Sequence, residues 1–210
     1  TGDTMVKNGT LALPVGGSIS SAGNMTIRRA SGDNGTLSIS GGNVSNAVGS
    51  IGNDAGSVGA VTVSSGNWTN SGWLFVGKGG TGNLTITGGT VSNAATGIAD
   101  APGSVGNVVV SDGTWDSGVL FVGIGGNGTL DLSGGNINSG GASVGLYNSS
   151  VSSATVTGGT WANSDDLNLG IWGAGNLTIS GSGNVTNINS CLGAAVGASG
   201  SANVTGGTWV

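Results

Sequence analysis

The chain of 210 residues contains no histidine, no glutamate, one cysteine and two prolines, and only 6% of its residues are charged. Each shortage closes a class of function. Without histidine and glutamate, the usual triads, zinc ligand sets and general bases are missing, and acid chemistry rests on nine aspartates. A lone Cys191 excludes an internal disulfide framework. Four scattered cations, Lys7, Lys78, Arg28 and Arg29, in a chain of net charge -5 leave no footprint for nucleic acid or for an anionic membrane. No apolar run approaches the roughly 18 to 20 residues of a membrane-spanning helix, and the first residues lack a secretory leader pattern.

What the chain has in quantity is glycine, 47 residues, beside a hydrophobic fraction of 36%. No triplet period supports collagen, and so many Val, Ile and Leu residues exceed what a Gly/Ser linker carries. A repeat must bury them. Trp68, Trp115, Trp161 and Trp209 lie 47, 46 and 48 residues apart, and Leu37, Leu84, Leu130 and Leu177 keep the same beat. Inside that period sits a shorter one. "GNLTITGGTVSN" at 82–93 and "GNVVVSDGTWDS" at 106–117 are two versions of one phrase, and its apolar triplets begin at Leu37, Val61, Leu84, Val108, Leu130, Ala154, Leu177 and Ala202, 22 to 25 residues apart.

Each unit of about 23 residues holds three short runs of alternating apolar and polar residues separated by Gly, Asn and Ser, a strand pattern with no helical stripe. Such units stack best as a parallel β-helix of eight to nine coils, with Leu84 over Val61 and under Val108. Residues 1–34 are expected to form irregular first coils, and 35–210 one continuous solenoid. Gly52, Gly77, Gly123, Gly145, Gly170 and Gly193 follow the third strand and should supply corners with positive φ. Asn46, Asn70, Asn93, Asn163 and Asn187 follow the second strand and predict an Asn ladder, which Ser117 and Ser139 should break.

Candidate sites are few. Asp112, Asp116 and Asp131 occupy unlike repeat positions, and Asp165-Asp166 point to opposite faces of a strand, so no catalytic pair is expected. The irregular stretch with Arg28, Arg29 and Asp33 is the one place a site would be sought. "GGTGNL" at 79–84 and "GGNGTL" at 125–130 are close to a calcium nonapeptide but place Leu where the carboxylate belongs, so no metal and no cofactor is expected. Flanking alternation assigns the four tryptophans to the core; an outward aromatic track for sugars stays open. Phe75 and Phe121 should face out as an adhesive patch. Thr62, Thr85, Thr155 and Thr178 should form an outward rank able to grip ice or a glycan, although Val109, Asp131 and Asn203 interrupt it. Eleven N-x-[ST] sequons arise largely from the repeat phrase, which predicts little glycosylation.

The stretch "GTLSISGGNVSN…IGNDAGSVGAVTVSSGNWTNSGWLFVGKGGTGNLTI" resembles the Gly-rich repeats of autotransporter (type V secreted) passenger proteins, and the likeness covers nearly the whole chain from Gly35. It implies a right-handed β-helix on a bacterial surface, adhesive or serving as a stalk, that self-associates or meets other surface proteins or glycans. It also implies a parent protein held in the outer membrane by a barrel domain. The start at Thr1 and the stop within a repeat at Val210 fit a segment of such a parent. An ice- or glycan-binding solenoid is the alternative, and a polysaccharide-degrading enzyme a further one.

Overall fold

The computed structural model describes residues 2–210. Parallel strands stack in about 9 turns of about 24 residues, a β-solenoid, and no helix occurs among the described residues. Each full turn carries a first, second and third strand. In the middle of the rod these run on as single extended stretches, Val58–Val76, Thr81–Ile98 and Val105–Val122.

Register follows the apolar triplets. Leu37, Val61, Leu84, Val108 and Leu130 stack in one inward column, and Ile39, Val63, Ile86, Val110 and Leu132 stand beside it. All are buried. Val44, Trp68, Val91, Trp115, Ile137, Trp161 and Val185 form the inward column of the second strand, so three tryptophans fill the core of alternate coils. Residues 2–34 wind into the same stack, Thr4–Val6 on Met25–Ile27 and Asn8–Pro14 on residues 34–41, and the two extra residues lie in the first and second corners, since Leu13 to Ile19 and Ile19 to Met25 each take six steps where Ile39 to Val44 and Val44 to Gly49 take five.

The 47-residue beat has a structural cause. From the last inward residue of the third strand to the first glycine of the next coil the chain takes alternately eight and six steps: Ile51 to Gly59, Val76 to Gly82, Ile98 to Gly106, Val122 to Gly128. Longer corners close a turn, Ser57 N–H donating to Asp54 O and Ser104 N–H to Ala101 O, both at 3.0 Å. Shorter corners nest on those turns, where a Cβ on Gly80 or Gly126 would lie 2.4 or 2.2 Å from the Ser57 or Ser104 carbonyl oxygen. The two stretches that approach a calcium loop in sequence are therefore close-packed backbone.

A buried polar ladder runs beside the tryptophans. Trp68 Nε1 donates to Asn46 Oδ1 at 2.8 Å and Trp115 Nε1 to Asn93 Oδ1 at 3.0 Å, one coil below in each case. Asn46 Nδ2 then donates up to Asn70 Oδ1, and Asn93 Nδ2 to Ser117 Oγ. The ladder comes in pairs, Asn46–Asn70, Asn93–Ser117 and Ser139–Asn163: it is interrupted between Ser117, whose Oγ donates to Val119 O, and Ser139, where the sequence suggested a break, and also between Asn70 and Asn93, while Ser139 Oγ accepts the Trp161 indole N–H and donates to Asn163 Oδ1. A hydroxyl both donates and accepts, so Ser139 links its pair as an amide does.

Candidate binding surfaces

Outward positions of the third strand form the column Met5, Thr26, Ser50, Phe75, Gly97, Phe121, Ser143, Asn168 and Cys191. Phe75 and Phe121 therefore stand two coils apart, with Gly97 between them. The gap is filled from the side. Between Asn70 and Leu74 the chain carries one residue more than between Asn93 and Thr96, and the register shifts there. That extra residue lets the indole of Trp73 lie between the two phenylalanine rings. Ring centroids are 5.3 Å from Phe75 and 6.1 Å from Phe121, with interplanar angles of 5° and 11°. Lys78 Nζ sits 5.1 Å from the Phe75 centroid and closes one end. Both phenylalanines face out but are half-buried by the stack, while Trp73 is 37% exposed.

Sequence reasoning missed Trp73, because its role depends on which coil carries the extra corner residue. It also missed Trp172, which is 55% exposed beside Tyr147 and Val196 on third corners near the other end of the rod.

Thr62 stacks on Thr85 and Thr155 on Thr178, all half-buried and outward, but Val109 and Asp131 stand between the two pairs and Asn203 follows them. The rank is two separate pairs. Asp33 accepts the Ala30 N–H at 3.1 Å, which makes it a turn residue. Arg28 is half-buried, at φ 59°, and its Nε has no hydrogen-bond partner. No group of three or more His, Cys, Asp or Glu residues able to hold a metal occurs among the described residues. Burial holds the Asp100 carboxyl above its ordinary pKa, and nearby Lys78 partly offsets this.

A trough runs along the second corner, with a volume of about 670 Å³. Its floor is the upper part of the polar ladder, including Asn93, Ser117 and Ser139; Ser92, Asp116 and Asn138 line one side. Its ends coincide with two coils whose second corner is one residue longer than in the coils between them, at 71–73 and 164–166. The intervening corners, 94–95, 118–119 and 140–141, are shorter and leave the depression.

No protein-family model, no curated protein and no solved structure matches this chain.

Proposed function

We propose that the chain is a segment of a bacterial surface attachment protein, presented outside the cell, in which the solenoid is a stiff shaft and the Phe75–Trp73–Phe121 ridge is the contact. The ridge carries this reading. Elsewhere on the middle coils the outward columns are mostly Ser, Thr and Asn, so a three-ring apolar stack there is an exception that needs a use. Its partner is a second copy of the chain: with 6% charged residues, two rods meet with little repulsion, and ridge edges desolvate each other. The role is mechanical and adhesive, not enzymatic.

Display on a non-adherent bacterium tests the reading. Cells carrying the chain should clump, and cells carrying the Trp73→Ser, Phe75→Ser, Phe121→Ser variant at equal surface level should stay dispersed. Clumping that survives the triple substitution would move the contact off the ridge, and none with the intact chain well displayed would leave the segment a spacer.

A further inference from the structure

The third-strand face rises into a ridge only at Phe75. Towards the N-terminal end its outward residues are Ser50 and Thr26, with Met5 beyond them, so between Met5 and Phe75 the face sinks into a depression of about 400 Å³. Its two long edges differ in charge. The edge at the third corner carries Arg29, Asn53 and Lys78, one from each successive coil. Asn53 N–H donates to Arg28 O and Gly77 N–H to Ile51 O, which sets Asn53 over Arg29 and Lys78 over Asn53. One left-handed turn, made by Arg28, Gly52 and Gly77 in turn, delivers all three side chains to that edge. The edge at the second corner carries Asp3, Asn24 and Val48.

Two of the four cations of the chain therefore line one depression. Both can be reached and neither is neutralised at close range. Arg29 is exposed, Lys78 is half-buried, and no ion pair occurs among the described residues. Lys78 Nζ is instead held over the Phe75 ring, 5.1 Å from its centroid, and Trp73 stacks on the same ring. Asp100 follows Lys78 one coil further along that corner and lies outside the depression.

The lining defines the ligand class. Two cations two coils apart, about 10 Å along the rod axis, suit a single anionic group, whereas a nucleic-acid strand needs a row of them and would meet Asp3 across the depression. The floor of Thr26 and Ser50 and the amides of Asn24 and Asn53 disfavour a lipid tail or an apolar peptide. An acidic sugar matches every part: a carboxylate for Arg29 and Lys78, and hydroxyls for the amides and for Asp3. Asp3 Oδ1 already accepts the Asn24 N–H at 2.8 Å, and Oδ2 is left to accept a sugar hydroxyl. From the column of Asn24 to that of Arg29 is five residues, at most roughly 16 Å, room for a short oligosaccharide lying across the rod.

We infer that this depression binds an acidic oligosaccharide, with a sugar carboxylate held between Arg29 and Lys78. The inference does not rest on chains meeting at the ridge: Phe75 is a wall of both surfaces, and either can fail alone.

The experiment titrates the ¹⁵N-labelled chain with short oligomers of galacturonate, of guluronate and of glucuronate–N-acetylglucosamine, each beside its methyl ester as the uncharged twin, and with inorganic sulfate. At least one acidic oligomer should shift the backbone amides of Asn53 and Lys78 saturably, and its methyl ester should bind at least about tenfold more weakly. Arg29→Ala and Lys78→Gln should each weaken binding about tenfold or more. Arg29 is exposed, so its substitution should leave the melting temperature unchanged. Lys7→Ala removes the same charge beside a different depression and should leave binding as it was. No shift from any acidic oligomer, equal binding of acid and ester, sulfate binding as tightly as the sugar, or an equal loss in Lys7→Ala would overturn the site.

Discussion

At the residue scale, glycine is placed where neighbouring coils touch. Gly66, Gly89, Gly113, Gly135 and Gly159 form a column at the first corner, each at positive φ and each so close to the coil below that a Cβ would meet the carbonyl oxygen of the preceding glycine, Gly42 in the case of Gly66, at 2.2 to 2.6 Å. The corner after the third strand uses glycine for conformation as well, yet two coils depart from it: Arg28 and Ala99 stand there at φ 59° and 55°. A left-handed non-glycine residue costs roughly 1 to 2 kcal/mol. Ala99→Gly should therefore stabilise the rod by up to about 1 kcal/mol after the entropy of glycine is counted. Gly113→Ala should cost several times as much, having both strain and a clash with Gly89 O, 2.6 Å from the added Cβ. Urea unfolding of the two variants checks the signs, and equal effects would contradict the account. Positive φ at this corner was legible in the sequence from the glycines themselves; the two exceptions were not, since nothing in Ala99 or Arg28 announces a left-handed residue.

At the element scale, the second strand carries both the largest core residues and the polar ladder. The sequence shows the alternation of Val and Trp plainly, because both obey the period-two pattern that places them inside. It does not show why indole is needed rather than any large ring. Trp115 Nε1 saturates Asn93 Oδ1 at a buried position, so Trp115→Phe removes volume and strands an acceptor. The expected loss is about 2 to 4 kcal/mol, against less than about 1 kcal/mol for Trp73→Phe, whose indole makes no hydrogen bond within the protein and is partly exposed. Thermal melts of the two variants measure the difference. The ridge and the trough were beyond sequence reading for a common reason. Both follow from a single extra corner residue in "SGW" at 71–73, with a second in "SDD" at 164–166. Such an insertion has meaning only once the registers of the flanking coils are fixed.

At the scale of the whole molecule, about 9 turns at about 4.8 Å each make a rod of roughly 43 Å. Each coil rests on its neighbours alone, so stability is a sum of adjacent interfaces. The end coils carry the looser core: Val204 is 47% and Leu192 45% exposed, whereas the aliphatic columns of the middle coils are sealed. The coil count and the division of each coil into three strands could be read from the repeat, because stacking forces matching residues into register. Position around the rod is what separates the candidate surfaces: hydroxyl pairs on the first strand, the trough at the second corner and the aromatic ridge on the third strand.

The proposed attachment requires displayed chains to meet at the ridge. Cells displaying the chain with the photoreactive p-benzoylphenylalanine at position 75 or at position 178 would be mixed, allowed to clump and irradiated. Crosslinks between chains from position 75 and none from position 178 are the predicted result. Crosslinks from position 178 with none from position 75 would contradict it and move the contact to the threonine face.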